Sequence, residues 1–453
     1  MKHNFDQIPI NKLVLRLGIP AMFAQFFNIL YSIVDRIFVG NIPVTGDIAL
    51  ASIGVCAPAL TAISATSYLV GVRGASLFSM SLGKKDFESA KKIISQSFQM
   101  LLVLSVIVTA LSILFKRDLL FLLGCSDAMY PYADSYYTIY ITGTIASLLS
   151  LGMNQFILAQ GFARQGMISV ILGAITNLVL DPILINGLGM GISGAALATV
   201  ISQLCSMTYV MYFLFSKQNP FHIKRCSPDW KIIKKIIAIG LVPFIILLFD
   251  NLMVIFLNAC LRKYGGLSLG DTYISAAAIV QSFMVLITCP AQGITTGCST
   301  LYSYHYGAGN YKKLMQAFRS VFLLCAAFIT ILFIIAQLCP SLFVRLFTSN
   351  PEMISLCSGF IRKYTIGLLG IAIQYALVDG LTAMGKVYFS LPVSFFRKFI
   401  YLACIFILPL ITPLENVFYC GAISDIVGAT FSAILFFVFI RKRLKEELMP
   451  DLC

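Results

Sequence analysis

The chain has 453 residues, of which 59% are hydrophobic and only 11% are charged, and its mean hydropathy is +0.89. Soluble domains carry roughly a quarter charged residues, so this chain lacks the polar surface that a water-soluble globule of its length needs. The composition therefore excludes a soluble globular protein and predicts an integral membrane protein.

The formal net charge is +14, which in a soluble protein would favour a nucleic-acid partner. In membrane proteins, however, Lys and Arg collect in cytoplasmic loops, so we predict a lipid bilayer and no nucleic acid around this chain. The 13 cysteines are scattered, mostly within apolar runs, without a CxxC pair, and there are three histidines. The sequence therefore indicates neither a disulfide framework nor a zinc site, and we expect no cofactor.

Apolar segments recur along the whole chain, and a spanning helix needs about 20 mostly apolar residues. The run from Pro182 to Ser216 is too long for one span, and the turn signal Asn186-Gly187-Leu188-Gly189 divides it. We therefore predict an all-α integral membrane protein with twelve transmembrane helices. The predicted spans cover residues 17–34, 48–72, 93–115, 135–163, 165 to the turn, the turn to 216, 236–261, 272–305, 320–344, 359–384, 387–411 and 418–440.

The basic residues predict the orientation of these spans. An even number of spans places both termini on one side, and most of the 33 Lys and Arg residues then lie on that side, many of them in the loop at 217–235. The positive-inside rule therefore predicts a multi-pass protein of the cell membrane (plasma or inner membrane) with both termini in the cytoplasm.

The two halves of the chain resemble each other. Asn28-Ile29-Leu30 recurs as Asn251-Leu252-Met253, and at the same offset Gly74 recurs as Gly297. Six spans per copy give both copies the same orientation, so we predict two parallel six-helix repeats around a central cavity. This arrangement suits a transporter that works by alternating access, whereas a channel or a receptor has no comparable need for it.

The repeat predicts the domain organisation. The expected parts are an N-lobe at 1–216 with transmembrane helices 1–6, a cytoplasmic basic linker at 217–235, a C-lobe at 236–445 with transmembrane helices 7–12, and a cytoplasmic tail at 446–453. Because one chain holds both lobes, we expect it to function as a monomer.

Acidic residues inside the spans are candidates for function, because an Asp at the centre of a spanning helix costs about 2.5–3.5 kcal/mol. Asp35 lies beside Arg36, but consecutive residues diverge by about 100° on a helix and do not readily satisfy each other. Asp181 follows Asn177 by four residues, on the same face, and Pro182 tends to free a carbonyl beside it. Such an oxygen-rich cluster suits a proton or a sodium ion.

Other polar and aromatic residues mark a candidate substrate cavity, although each alone is more often a helix–helix hydrogen bond. The C-terminal half holds either a second polar cluster or four separate polar residues, namely Asp250, Gln374, Asp379 and Arg397. Asp425 is expected near a helix boundary. The candidate cavity residues are Gln25, Asn28, Tyr31, Tyr136, Tyr140, Gln155, Asp250, Gln374 and Arg397.

Four motifs carry a resemblance to a known family. They are Gln25-Phe26-Phe27-Asn28-Ile29-Leu30-Tyr31-Ser32-Ile33-Val34-Asp35-Arg36-Ile37-Phe38-Val39-Gly40, Gly71-Val72-Arg73-Gly74-Ala75-Ser76 through Leu82-Gly83, Asn177-Leu178-Val179-Leu180-Asp181-Pro182 and Gly191-Ile192-Ser193-Gly194-Ala195-Ala196. On these motifs the chain resembles the multidrug and toxic compound extrusion (MATE) family over nearly its whole length, and within it the MepA-like bacterial group.

The resemblance implies two six-helix bundles and export of small organic compounds, often cationic and aromatic, in exchange for H⁺ or Na⁺. It also implies a cation site in the N-lobe, with a possible Na⁺ ion at Asp35, Asn177 and Asp181. The implied site residues are Asp35, Asn154, Asn177, Asp181 and Thr199. The coupling ion stays open, because some MepA-like members carry an acid near the Asn154 position and the C-lobe acids of other subgroups match this chain poorly.

Two other transport functions stay open beside drug export, namely flipping of a lipid-linked precursor and export of one specific metabolite. A flippase needs a large cationic cavity, whereas the bases within the spans are few and scattered: Arg36, Arg73, Arg397 and Lys398. A membrane enzyme needs a convergent nucleophile and base or a set of metal ligands, and none is evident in the sequence. We therefore expect a transporter and not an enzyme.

Overall fold

A computed structural model describes residues 5–43, 45–217, 219–224, 226–348 and 350–449. All regular elements in these ranges are helices, and no β-strand occurs in them. This is the expected solution for a chain in lipid, because a helix satisfies its own backbone hydrogen bonds where no water is present.

Eight α-helices and one π-helical turn form the first half of the chain. They are α1 (Ile10–Gly40), α2 (Gly46–Gly83), α3 (Phe87–Leu114), α4 (Lys116–Leu122), α5 (Tyr130–Thr142), α6 (Thr144–Ala159), α7 (Ala163–Pro182), the π-turn Ile183–Gly187 and α8 (Gly191–Phe215). The predicted turn near Gly187 is confirmed: the π-turn ends at Gly187, and Gly189 adopts a left-handed conformation with φ 64°.

The second half begins with α9 (Trp230–Gly307), which is broken at Gly266, where φ is 64° and ψ is −162°. The remaining elements are α10 (Tyr311–Leu338), α11 (Pro340–Val344), α12 (Pro351–Thr365), α13 (Leu368–Ala383), α14 (Val387–Ile411), the 3₁₀ turn Leu414–Phe418, α15 (Tyr419–Leu435), the π-turn Phe436–Ile440 and α16 (Arg441–Leu448). The ninth predicted span, 320–344, was placed too late, because Asn310 caps α10 and Pro340 starts a separate helix.

The helices account for the twelve predicted spans. Nine helices in the described ranges are long and apolar enough to cross a membrane, and two bent pairs bring the number to eleven. The pairs are α5 with α6, bent by 53°, and α12 with α13, bent by 48°. The part of α9 before Gly266 covers the remaining predicted span, 236–261. The all-α membrane fold is therefore confirmed, with a bend in the fourth and tenth spans that the sequence did not reveal.

The turns repeat between the halves. α2 and α3 are joined through Lys85, with φ 60°, and α9 and α10 through Gly309, with φ 69°. In both turns the next residue caps the following helix: an oxygen of Asp86 accepts a hydrogen bond from the Ser89 amide, and one of Asn310 accepts one from Lys313. The same local geometry therefore recurs at equivalent points of the two halves.

The described residues divide into two compact units. The first unit holds Phe5 and the described part of 23–244, and the second holds 6–22 and the described part of 245–449. The first part of α1 thus belongs to the second unit, and the first part of α9 belongs to the first.

Small residues allow close helix packing within each unit. In the first unit, a Cβ atom added to Gly71 would lie 2.6 Å from the Gly152 Cα atom, so the backbones of α2 and α6 are in contact there. In the second unit, an added Cβ on Gly370 would lie 2.5 Å from the Asp425 carbonyl oxygen. Such approaches are the usual basis of helix association in lipid, where van der Waals packing replaces the hydrophobic effect.

We expect Gly71→Ala to destabilise the first unit, by about 1–3 kcal/mol, because the added methyl group would force the α2 and α6 backbones apart. The melting temperature of the purified protein in detergent measures the effect. Gly54→Ala on the same helix is the matched control, because nothing lies within 4 Å of its added Cβ atom. Equal melting temperatures for the two variants would contradict this packing.

Candidate functional site

Asp35, Asn177 and Asp181 come together in the first unit. Asn177 Nδ2 donates a hydrogen bond of 3.2 Å to Asp181 Oδ1 along one face of α7, as their spacing predicts. The carboxyl group of Asp35, on α1, lies within hydrogen-bonding reach of the Asp181 carboxyl group. Asp181 is 0% exposed, and Asn177 is buried as well. We call these three residues the Asp35–Asp181 cluster.

The cluster has unused hydrogen-bonding capacity. Asp35 Oδ1, Asn177 Oδ1 and Asp181 Oδ2 are buried and receive no hydrogen bond within the described part of the chain. Buried polar atoms are normally satisfied, so three oxygens in one place require an explanation. Two carboxyl groups that face each other can share a proton or bind a small cation, and either would satisfy these oxygens.

The packing of α7 against α8 sets the level of Thr199 along α7. A Cβ atom added to Gly194 would contact Leu184, and one added to Gly173 would contact Ser206. The earlier residue of one helix thus meets the later residue of the other, so the two helices run antiparallel in a fixed register. Thr199 lies between these two contacts, at the level of Asn177. Its hydroxyl group donates to the Ala195 carbonyl group at 3.0 Å and retains acceptor capacity.

Asn154 lies apart from the Asp35–Asp181 cluster. Its Nδ2 atom donates to the Gly166 carbonyl oxygen at 3.4 Å, near the start of α7. Gly166 precedes Asn177 by three helical turns, which is about 16 Å along the axis. Its Oδ1 atom is buried without a partner in the described residues, but it is too far away to complete the Asp35–Asp181 cluster.

Tyrosines surround the acids of the cluster. Tyr31 lies one turn before Asp35 on α1, and both Tyr31 and Tyr136 interact electrostatically with the Asp35 carboxyl group. The rings of Tyr136 and Tyr140 on α5 stack with centroids 6.3 Å apart and an interplanar angle of 29°. Two of the three predicted tyrosines, Tyr31 and Tyr136, therefore lie near the Asp35 carboxylate, and Tyr140 stacks against Tyr136.

Sequence reasoning missed two residues of this region, Tyr68 and Gln203. Tyr68 on α2 interacts with Tyr31, and Gln203 Nε2 donates a hydrogen bond of 3.1 Å to the Tyr140 hydroxyl group. Gln203 follows Thr199 by four residues, so its position on the same face of α8 was available from helical spacing.

The remaining cavity candidates of the first unit are half-buried. Gln25 and Asn28 precede Tyr31 and Asp35 at spacings that keep all four on one side of α1. Gln155 lies on α6, beside Asn154. Since Asn154 is three helical turns from the cluster, Gln155 is also remote from it.

The second unit holds two ion pairs. Arg397 Nη1 donates to Asp425 Oδ1 at 3.0 Å, and Lys398 Nζ pairs with Asp250 Oδ1. Asp425 lies inside α15 and is 2% exposed, so the expectation that it sits near a helix boundary was wrong. α15 begins at Tyr419, six residues before Asp425, so the carboxyl group lies nearly two helical turns inside the helix.

The predicted C-terminal polar residues divide into two sets: Asp250 and Arg397 interact electrostatically, whereas Gln374 and Asp379 have other partners. Gln374 Nε2 donates to the Val393 carbonyl oxygen at 2.8 Å, and Gln374 Oε1 accepts from the Ser432 hydroxyl group at 2.7 Å. Asp379 accepts a hydrogen bond from the Thr295 hydroxyl group instead. Asp250 and Arg397 take part in the two ion pairs, and Gln374 ties α13 to α14 and α15.

Comparisons with known proteins identify the family. The family model described as MatE matches residues 20–183 and 240–407, one segment in each half of the chain. The chain belongs to the MatE family. The resemblance inferred from the four motifs is thereby confirmed, and MatE proteins are membrane transporters rather than enzymes.

Relatives of the MatE chain have a matching length. It is 23% identical to the multidrug export protein MepA of Staphylococcus haemolyticus (strain JCSC1435), over 98% of this chain and 96% of that protein. It is 22% identical to MepA of Staphylococcus aureus (strain MSSA476), over 98% of this chain and 97% of that protein.

Solved structures share the fold. A structure described as the outward-facing conformation of a multidrug resistance MATE family transporter of the MOP superfamily matches with a TM-score of 0.91 at 23% identity, over 97% of this chain and 98% of that chain. A crystal structure of MATE in complex with MaL6 also matches with a TM-score of 0.91, at 23% identity and the same coverage. At this identity the likeness establishes the fold.

We expect Arg397→Met to destabilise this MatE protein by about 3–5 kcal/mol, because it leaves the Asp425 carboxylate buried without its partner. The double variant Arg397→Met/Asp425→Leu should recover most of the loss, since it removes both charges. Melting temperatures in detergent measure both. Lys91→Ala, which breaks an exposed pair with Glu88, is the control and should leave the melting temperature unchanged. A double variant no more stable than Arg397→Met would contradict the assignment.

Proposed function

We propose that the protein is a secondary active antiporter that exports small organic compounds, often cationic and aromatic, in exchange for H⁺ or Na⁺ by alternating access. The observation that carries the proposal is the Asp35–Asp181 cluster: two facing carboxyl groups and an amide whose buried oxygens are unsatisfied within the described residues. Polar groups of this kind are costly in a membrane and normally serve an ion pathway.

Ion binding at this cluster supplies the coupling. One H⁺ shared between Asp35 and Asp181, or one Na⁺ held by Asp35, Asn177 and Asp181, would satisfy the open oxygens and neutralise part of the negative charge. A cationic substrate is attracted to the same carboxylates when the ion is absent. The two cations therefore exclude each other, which is the requirement for antiport, and a membrane potential of 100 mV adds about 2.3 kcal/mol per charge moved.

The tyrosines support an aromatic or cationic substrate. Tyr31 and Tyr136 interact electrostatically with Asp35, and Tyr140 stacks on Tyr136, so aromatic rings lie near the carboxylate. Cations bind aromatic faces with about 0.5–2 kcal/mol each. The curated relatives are multidrug export proteins by name, which agrees with such a site. A lipid-linked phosphate is less suited, because Arg397 and Lys398 are each neutralised by a carboxylate.

The remaining features of the proposal follow the sequence analysis. The protein resides in the plasma or inner membrane with both termini in the cytoplasm, because the basic residues collect on that side. It comprises an N-lobe, a basic linker and a C-lobe, and it functions as a monomer without a cofactor. Export of one specific metabolite is the alternative if drug-like cations are not transported.

We expect Asp35→Asn and Asp181→Asn each to abolish gradient-driven efflux, because an amide can neither take up a proton nor carry the charge that binds a cation. Efflux of a fluorescent organic cation from proteoliposomes, under an imposed proton or sodium gradient, measures the effect and identifies the ion. Asp118→Asn is the matched control, because Asp118 is exposed at the start of α4.

Wild-type efflux in both cluster variants would disprove this coupling site. A folded wild-type protein that transports no organic cation under either gradient would favour the specific-metabolite or flippase functions.

We also expect Tyr136→Ala to raise the concentration of an aromatic cation needed for half-maximal efflux by about 2- to 30-fold, which corresponds to one cation–π contact. Tyr136→Phe keeps the ring and should remain close to wild type. Dose dependence of efflux in the same proteoliposomes checks this. An equal loss in both variants would show that the hydroxyl group, and not the ring, matters.

A further inference from the structure

The ion pair between Lys398 and Asp250 in the second unit is asymmetric. Lys398 lies on α14 with a side chain only 2% exposed, whereas the side chain of Asp250 on α9 is 44% exposed. Lys398 Nζ also donates a hydrogen bond of 2.9 Å to the Ile246 carbonyl oxygen, one turn before Asp250. The ammonium group is therefore enclosed, and its carboxylate partner remains accessible from one side.

We expect the accessible side of Asp250 to face water rather than lipid, because a carboxylate facing hydrocarbon would be too costly. A solute can therefore reach this carboxylate without displacing the Lys398 side chain. This distinguishes the pair from Arg397 and Asp425, in which the carboxylate is the enclosed member, at 2% exposed, and the base is 18% exposed.

The charged groups around Lys398 leave it dependent on Asp250. Arg397 precedes it on α14 and pairs with Asp425 on α15. Gly428 on α15 packs against the Arg397 side chain, where an added Cβ atom would lie 2.9 Å from Arg397 Cβ. Tyr375 on α13 interacts with Arg397, Asp250 and Asp425. Within the described residues each base thus pairs with one acid, Arg397 with Asp425 and Lys398 with Asp250. The positive charge of Arg397 disfavours a second positive charge at Lys398.

A cation bound at Asp250 would change this balance. It would take up the negative charge and leave the Lys398 ammonium group as a buried charge without a counterion, next to a permanently charged guanidinium group. A buried unpaired charge is strongly unfavourable, and lysine, unlike arginine, can remove it by losing a proton. The neutral amine can still donate its hydrogen bond to the Ile246 carbonyl group.

We propose that Asp250 and Lys398 form a second exchange site, in which an organic cation binds to the Asp250 carboxylate and expels the proton carried by Lys398. The proton leaves Lys398 Nζ for water at the open side of Asp250, one positive charge enters as another departs, and the net charge of the site is unchanged. In the reverse direction, protonation of Lys398 displaces the cation. The inference rests on the proposed export function and adds to it a proton carrier that is a base instead of an acid.

Proton release on binding tests the exchange directly. The full-length protein carrying Asp35→Asn and Asp181→Asn, which silences the first site, is purified in detergent and titrated with tetraphenylphosphonium, a cation that has no proton to give. Calorimetry in buffers of different ionisation enthalpy measures the protons released per cation bound, and we expect about one near neutral pH.

Two substitutions of Lys398 distinguish release of its proton on cation binding from a purely electrostatic effect of its charge. Lys398→Met removes the internal competitor, so the cation should bind roughly tenfold tighter or more, without proton release. Lys398→Arg keeps a charge that cannot be lost, so binding should weaken roughly tenfold or more, again without proton release. Lys116→Met is the matched control, because Lys116 pairs with Asp134 at 2.8 Å elsewhere in the fold, and it should release protons like the parent.

The proposal is overturned if the parent binds no cation, if it binds without proton release, or if both Lys398 variants release protons as the parent does. Size-exclusion chromatography verifies folding. If Lys398→Met aggregates, cation binding and proton release by Lys398→Arg are sufficient to test the proposal. Because the measurement is a binding equilibrium, it is independent of transport. Proton-linked binding by this parent, together with no gradient-driven efflux by the wild-type protein, would overturn the proposed export function alone. Wild-type efflux without proton-linked binding by the parent would overturn this site alone.

Discussion

The cost of polar groups in lipid is the constraint on which the rest of this structure depends. It restricts the described backbone to helices, because only a helix satisfies its own N–H and C=O groups without water. It also requires each charged side chain in the spans to find a partner or to face water. The two units meet the second requirement differently. Asp35 and Asp181 face each other, and within the described residues neither forms an ion pair, although Arg36 attracts Asp35 electrostatically, whereas Asp250 and Asp425 each pair with a base.

This difference gives the two units different chemistry. Two facing carboxyl groups have more negative charge than hydrogen-bond donors, so the first unit has a place for a proton or a cation. In the second unit the charges balance, and the bases Arg397 and Lys398 tie α14 to α15 and to α9. A site with balanced charge exchanges one cation for another without a change of net charge. The internal repeat therefore reproduces the helix order in both halves while the polar residues within the repeats have diverged.

Close packing of small residues holds these polar groups in place. Gly370 and Gly428 admit the Asp425 backbone and the Arg397 side chain, and a methyl group at either position would meet them at 2.5 Å and 2.9 Å. In the first unit, Gly173 and Gly194 fix the register of α7 against α8 and thereby the level of Thr199. Packing in lipid relies on such contacts because apolar side chains gain little from leaving it.

The sequence by itself determined the membrane class, the all-α fold, twelve spans, the family and the pairing of Asn177 with Asp181, because hydropathy, helical spacing and motifs are local properties of the chain. Only the tertiary structure decided which distant residues meet. It separated Asn154 from the Asp35–Asp181 cluster, paired Lys398 with Asp250, placed Asp425 inside a helix and bent the fourth and tenth spans. Contacts between helices depend on their rotation and register, and these are set by packing against neighbours that helical periodicity does not identify.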